Sequence, residues 1–124
     1  MNKEEIVKEL AQAWVSGDTD VFRKYLHADF HFKGPIMETN SLNEMLSSME
    51  ECPFESSCQN SELIIQGDKV VNIFDWAVTA PFQANIPCVE VMRFEGDLVK
   101  SSLLFFDTAL MPAEFKEEME KQAA

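Results

Sequence analysis

The sequence has few cysteines, no long apolar run and no apolar leader, and each shortage excludes a class of protein. Its three cysteines are Cys52, Cys58 and Cys88, an odd number with no CxxC pair, so a disulfide framework is a poor explanation. No stretch approaches the roughly 18 apolar residues that a membrane-spanning helix needs. Three of the first five residues are charged, and no apolar core of signal-peptide length follows them. We therefore expect a cytoplasmic protein without a membrane span.

Basic residues are also scarce, and this shortage bears on the partners of the protein. Ten Lys and Arg stand against 22 Asp and Glu, which gives a net charge of −12. Such a surface repels phosphate backbones and anionic lipids, so neither nucleic acid nor a membrane is an expected partner. The 124 residues suit one domain over residues 1–124, and 46% hydrophobic residues suffice for a core.

The N-terminal part has the periodicity of amphipathic helices. Ile6, Leu10 and Trp14 recur every four residues and predict a helix over residues 3–15. Gly17 follows it and suits the left-handed conformation that commonly ends a helix.

Two further helices are predicted from their capping residues. Asp18 or Thr19 can cap a second, short helix. Ser41, with Glu44 three residues later, forms a capping box for a third. A fourth, short helix is predicted over residues 112–124, where apolar residues recur at spacing four.

The second half of the chain changes to the period of β-strands. Phe30 and Phe32 alternate with polar residues in an early strand, and four longer strands are predicted over residues 57–66, 69–80, 87–95 and 98–107. Gly67 and Gly96 lie in tight turns between them. Helices followed by meandering strands predict an α+β domain with an antiparallel sheet.

Three sequence stretches, in this order and spacing, resemble the nuclear transport factor 2-like superfamily, which includes SnoaL-type polyketide cyclases. They are WVSGD at residues 14–18 followed by FKGP at 32–35, VEVMRF at 89–94, and LLFFD at 103–107. The resemblance covers nearly the whole chain. It implies a cone-shaped curved sheet wrapped around three helices, with an apolar cavity open at one end.

The resemblance extends to ketosteroid isomerase, whose catalytic residues are only partly matched. The family's general-base aspartate would precede Pro35, where this chain has Gly34. Its oxyanion tyrosine would fall at Leu10, and its acidic oxyanion donor falls at Glu90. One of three groups is present, which argues against that isomerase mechanism.

The resemblance to limonene-epoxide hydrolase is partial in the same way. The first catalytic aspartate of that enzyme falls at Asp75, with the distance to Pro81 preserved. Its arginine position holds Ile73, and its second aspartate position holds Leu104. That hydrolase mechanism is therefore doubtful as well.

Asp75 and Glu90 are the candidate catalytic residues, because each interrupts a β-rich run where acidic residues are disfavoured. A hairpin turning around residues 82–84 would make them near cross-strand neighbours on one face. Two carboxyl groups so close in an apolar cavity cannot both ionise easily, and an acid beside a carboxylate can perform acid–base catalysis. Alternatively, both carboxyl groups face solvent or pair with a basic residue.

The remaining candidate residues concern the cavity and metal binding. Three residues of metal-binding type occupy every second position, His27, Asp29 and His31. A loop around His27 and Asp29 is the better interpretation, so no metal site is expected. No glycine-rich phosphate loop is present, and we expect no cofactor. Cys88 fits a small buried hydrophobe better than a nucleophile. The side chains predicted to line the cavity are Trp14, Phe32, Met45, Met49, Cys88, Met92, Leu104 and Phe106.

Phe74, Trp76 and Val78 share the strand face opposite Asp75. If Asp75 points into the cone, these three point outward and need a cover. Related proteins commonly pair through this sheet surface, so the resemblance implies a homodimer there.

Two functions follow from these predictions. The first is a small-molecule-binding protein that could act as an enzyme, in which Asp75 and Glu90 move a proton during isomerisation, cyclisation or hydrolysis of an apolar, oxygenated ligand. The second is a non-catalytic ligand-binding or dimerisation module of the same fold. A transport adaptor is a weaker third alternative, because no cargo surface can be recognised.

Overall fold

The computed structural model describes residues 2–50 and 54–113 of the chain. The predicted helix over residues 112–124 falls almost entirely outside this part. The elements are α1 (Lys3–Ser16), α2 (Thr19–Tyr25), β1 (Leu26–Lys33), β2 (Glu38–Thr39), α3 (Leu42–Glu50), β3 (Glu55–Gln66), β4 (Lys69–Ala80), β5 (Ala84–Glu95), β6 (Leu98–Phe105) and a 3₁₀ turn (Thr108–Leu110).

Helix α1 begins and ends where local chemistry dictates. The backbone N–H of Glu5 donates to Asn2 Oδ1 at 2.9 Å, which satisfies one free donor of the first turn. Gly17 has a φ of 75° and ends the helix in the left-handed conformation, as predicted. Ile6 and Leu10 on its apolar stripe are buried against the sheet.

The two shorter helices confirm their predicted caps. The Asp18 side chain accepts from the backbone N–H of Asp20 at the start of α2. At the start of α3, Ser41 Oγ accepts from the backbone N–H of Glu44 at 3.1 Å. None of the described helices combines the length and the hydrophobicity that crossing a membrane requires.

The strands form one curved, open sheet in the order β2-β1-β6-β5-β4-β3. The α+β class and the curved sheet are confirmed, but the sheet is mixed, because β1 pairs with β6 in parallel. The crossover between these two strands contains α3 and the whole β3–β5 meander, so β6 returns in the same direction as β1. Strand β2 has two residues, too few for an alternating pattern to reveal.

The β4–β5 hairpin has a different register from the predicted one. Val78 pairs with Ala84, so the turn is centred on Pro81 rather than on residues 82–84. Asp75 consequently lies opposite Pro87, and Glu90 lies opposite Asn72, three residues earlier in β4. Because strand side chains alternate between faces, this odd displacement places Asp75 and Glu90 on opposite faces. The predicted carboxyl pair is therefore wrong.

The same register corrects the predicted outer face. Phe74, Trp76 and Val78 are 9%, 7% and 3% exposed and lie on the concave side, where they form a core cluster with Ile86 and Met111. They therefore cannot form the outer surface of a dimer.

A second core cluster packs the helices against the other half of the concave face. Ile6, Val7 and Leu10 of α1 meet Val70 of β4 and Val99 of β6 there, and the last two are fully buried. The partly buried Leu104 packs against both clusters.

Candidate functional site

A cavity of about 800 Å³ lies between the helices and the concave face of the sheet. Its volume falls in the range of about 300–1,000 Å³ that small-molecule sites occupy. The lining is mainly apolar and comes from α1, α3 and strands β1 to β6. Residues 33–40, which join β1 to α3, form one side of it.

Most of the side chains predicted to line a cavity do so. The structure brings together Trp14, Phe32, Met45, Cys88, Met92, Leu104 and Phe106 around this space. Met49 is the exception, because it is half-buried against the core cluster beneath α3 rather than along the cavity. Whether these residues bind a ligand stays a prediction.

Asp75 does not belong to this site. It lies on the convex face of the sheet, where Asn60 Nδ2 donates to Asp75 Oδ2 at 2.9 Å. Asn60 has a φ of 57° and lies in an irregularity of the β3–β4 ladder between Gln59 and Glu62.

Among the described lining residues, Glu90 is the acid that the protein encloses, and β5 presents it from the concave face, whereas Glu38 is exposed. The surrounding protein encloses its carboxyl group, while part of the residue stays accessible from the cavity. Ser102 Oγ on β6 donates to Glu90 Oε2 at 2.6 Å. Burial raises the pKa of Glu90, because the charged form loses its hydration, and the Ser102 hydrogen bond opposes this in part.

The sequence patterns did not identify the residue that lies opposite Glu90. Asn72 pairs with Glu90 across β4 and β5, is 2% exposed and also lines the cavity. Its Oδ1 is buried and accepts no hydrogen bond from the described residues. Asn72 stands at an inward position of the alternating run that includes Val70 and Phe74, so a polar residue there was the available signal.

The part of the cavity beyond Phe74 is aromatic. Phe54 meets Trp76 edge to face with ring centroids 4.7 Å apart, and Trp76 meets Phe106 at 5.9 Å. Such rings offer a large apolar contact area with defined geometry. Trp76 Nε1 is buried without a hydrogen-bond acceptor among the described residues.

Cys58 and Cys88 line the same cavity, and both stay protonated. Burial raises the pKa of Cys58 to about 11 and that of Cys88 to about 12, and nearby negative groups add to both effects. Cys88 is 2% exposed, and its Sγ donates to the Ile86 carbonyl. Thiolates are the reactive form, so both residues act as apolar wall rather than as nucleophiles.

His27, Asp29 and His31 of β1 do not line the cavity. His31 Nε2 is 2.7 Å from Glu38 Oε2, and His27 lies near Asp29 and Glu95. All three predicted alternating residues belong to β1, so the loop expected around His27 is absent. Within residues 2–50 and 54–113, no three His, Cys, Asp or Glu converge in a way that could hold a metal ion.

A family model described as a SnoaL-like domain matches residues 7–102, which is most of the chain. No curated protein matches the sequence significantly.

Solved structures share the fold at low sequence identity. A proposed SnoaL-like polyketide cyclase from Shewanella denitrificans has a TM-score of 0.79 and 14% identity, covering 92% of this chain and 96% of its own. An NTF2-like protein of unknown function from Cytophaga hutchinsonii has a TM-score of 0.75 and 18% identity, covering 88% and 93%. A Catenulispora acidiphila protein with a ketosteroid isomerase-like fold, in complex with trimethylamine, has a TM-score of 0.73 and 14% identity, covering 88% and 90%.

Proposed function

The chain belongs to the SnoaL-like domain family, and on that premise we propose that it binds an apolar, oxygenated small molecule in its cavity, where Glu90 acts as the acid. Glu90 donates a hydrogen bond, or its proton, to a ligand oxygen. The observation that carries the proposal is one enclosed carboxyl group, hydrogen-bonded to Ser102, in a mainly apolar wall.

The protonation state of Glu90 determines what the cavity can recognise. A buried carboxyl group that keeps its proton is a hydrogen-bond donor, whereas a carboxylate only accepts. Because burial raises the pKa of Glu90, the donor form persists to higher pH than it would in solvent. A carbonyl or ether oxygen is therefore the complementary group on the ligand.

This proposal can be tested with two neutral probes of nearly equal shape, 2-acetylnaphthalene and 2-isopropenylnaphthalene. The first carries a C=O group where the second carries C=CH2. Trp14 and Trp76, the two tryptophans of the chain, both line the cavity, so quenching of their fluorescence reports binding. We expect roughly tenfold tighter binding of the ketone, the value of one hydrogen bond from an acid.

The Glu90→Met variant should lose this preference while still binding both probes, because it keeps the volume but not the acid. Asp75→Asn is the matched control, since it removes a carboxyl group from the convex face and should keep the preference. For the wild type, preference for the ketone should decline as the pH rises and Glu90 ionises. Equal binding of both probes at every pH would contradict the proposal.

Whether the protein is an enzyme is a separate question, and one observation favours the non-catalytic alternative. In the part of the chain that the structure describes, Glu90 has no second carboxyl group beside it, because Asp75 lies on the other face. Deuterium uptake at the methyl group of 2-acetylnaphthalene distinguishes the two functions. Acceleration that Glu90→Met abolishes indicates an enzyme, whereas binding without acceleration indicates a binding module.

We also propose a homodimer formed by the convex face, with residues other than the predicted ones. Two apolar rows cross its strands, Ile64–Val71–Val91–Leu103 and Ile73–Val89–Phe105, with polar rows beyond them. Ile64 and Phe105 are 53% and 55% exposed. An apolar centre with a polar border is typical of an interface, and a second copy offers the same surface.

A cytoplasmic location fits the free thiols of Cys58 and Cys88.

A further inference from the structure

Asn72 presents an unusual feature for a residue in a close-packed wall. Its Oδ1 has essentially no accessible surface and receives no hydrogen bond from the described residues. A buried acceptor without a donor destabilises the folded state, and native proteins rarely keep one. Since neither bulk water nor a ligand touches this oxygen directly, its donor must come from the neighbouring protein.

Asn72 also borders a smaller hollow between α1 and β3, whose lining includes the polar residues Gln12, Ser57 and Ser61. Within the wall of the main cavity, few donors remain. Ser102 on β6 already uses its proton on Glu90, and Cys88 on β5 uses its own on the Ile86 carbonyl. Trp76, whose Nε1 is the other unpaired buried group, is four residues along the same strand, so its Cα is about 13 Å from that of Asn72.

The other elements around the cavity contribute mostly apolar side chains. From α1 these are Val7, Leu10, Ala11 and Trp14, and from α3 Met45 and the hydroxyl of Ser48, which donates to the Met45 carbonyl. The charged lining residues Lys33 and Glu38 belong to β1 and β2, which are three and four strands away from β4 in the sheet. Cys58, across the β3–β4 ladder from Trp76, adds one thiol.

Glu90 is the group that the register places directly opposite Asn72. Cross-strand partners have Cβ atoms about 4.5–5.5 Å apart, close enough for the two side chains to hydrogen-bond. Ser102 occupies Oε2, which leaves Oε1 as the oxygen that can carry the acid proton.

We propose that Asn72 is a positioning residue whose Oδ1 accepts the acid proton of Glu90 from Oε1, while Ser102 holds Oε2. No bond to carbon changes in this arrangement, and the proton stays on Glu90. The inference rests on the proposed function in treating Glu90 as the acid of the cavity. A ligand carbonyl then competes with Asn72 for the same proton.

The two neighbours of Glu90 must then act on its pKa in opposite directions. Asn72 stabilises the protonated form, so its removal lowers the pKa. Ser102 stabilises the charged form, so its removal raises the pKa. If the Asn72 amide were instead turned with Nδ2 toward Glu90, both removals would raise the pKa.

The experiment is an NMR titration of the Glu90 Cδ signal in ¹³C-glutamate-labelled protein without ligand, assigned by its loss in Glu90→Gln. Asn72→Leu keeps the side-chain volume and should make the protonation equilibrium of Glu90 roughly tenfold less favourable, a fall in pKa. Ser102→Ala is the matched control and should raise the pKa of Glu90. A rise in Asn72→Leu, or no change, would overturn the assignment of Asn72.

The same titration separates failure of this inference from failure of the proposed function. If Glu90 of the wild type titrates like a glutamate in solvent, the acid itself is absent and the proposed function fails. If the wild-type pKa is raised but Asn72→Leu does not lower it, only the role of Asn72 fails.

If Asn72→Leu does not fold, the Cγ signal of Asn72 in the wild type tests the role of Asn72 instead. It must shift as Glu90 loses its proton, and a signal that stays constant through that titration contradicts the proposal.

Discussion

Two acidic residues on the adjacent strands β5 and β4, Glu90 on the concave face and Asp75 on the convex face, have different surroundings. Glu90 faces the cavity, where burial raises its pKa and Ser102 is its hydrogen-bond donor. Asp75 faces outward and is bound by the amide of Asn60 at the exposed side of the sheet. The chemistry of each carboxyl group follows from the face it occupies, which the register decides.

The apolar residues of the two faces differ in the same way. Those on the concave face are closed in by helices α1 to α3 or by one another, whereas two rows on the convex face are left exposed by residues 2–50 and 54–113. Burial within a subunit and exposure at an interface predict different consequences for the same substitution. Three predictions use this difference.

The largest effect is expected from removing one aromatic ring from each face. Phe74→Ala empties a buried position and should lower the free energy of unfolding by about 3–5 kcal/mol. Phe105→Ala, on a residue that is 55% exposed, should change the stability of a single subunit by roughly 0.5 kcal/mol or less. Urea unfolding at low protein concentration measures both.

Equal losses in the two variants would mean that the assignment of these faces is wrong. A loss in Phe105→Ala that grows with protein concentration would instead report its part in the dimer.

A change in assembly is expected when charge enters the apolar rows of the convex face. Val89→Glu places a carboxylate in the centre of the surface proposed to dimerise, so we expect dissociation into monomers by sedimentation velocity. Gln59→Glu adds the same charge in the polar row that contains Asp75 and should leave the dimer intact. A dimer that persists in Val89→Glu excludes this face as the interface.

The smallest effect is a dependence of stability on pH. The folded protein holds the Glu90 proton more tightly than the unfolded chain, so this contribution is complete below the unfolded pKa and is lost as the pH rises toward the folded one. Glu90→Gln has no proton to lose at this position, so its stability does not fall with pH in this way. We therefore expect the stability of Glu90→Gln, relative to the wild type, to increase from pH about 4 upward.

Thermal unfolding across that range checks the sign. Asp75→Asn is the control for loss of a carboxyl group, and a slope in it as large as that of Glu90→Gln would assign the effect to charge in general.

The helices could be predicted because their signals are local. Asn2 was not named as a cap, but Asp18, Ser41 and Gly17 act as their residue types suggest, and the four long strands lie within a few residues of their predicted bounds. The parallel β1–β6 pair could not be derived, because periodicity identifies strands without identifying their neighbours.

Only part of the candidate site could be predicted from the sequence. Most cavity-lining side chains follow from apolar periodicity combined with the family resemblance, and Glu90 stands out as an acid in a strand. The Asp75 pairing failed because the turn lies at Pro81, and one odd displacement moves every side chain of the partner strand to the other face. Asn72 and Ser102 were missed because their importance depends on that register.

The irregularity at Asn60 has a consequence for how far the sheet can grow. Strand β3 is an outer strand, so its free backbone groups could pair with another chain and continue the sheet indefinitely. The left-handed residue at 60 interrupts the straight run of these groups, and Glu55, Glu62 and Gln66 place polar side chains along it. This edge is thereby protected against fibrous polymerisation, which leaves the convex face as the surface for the proposed closed pair of subunits.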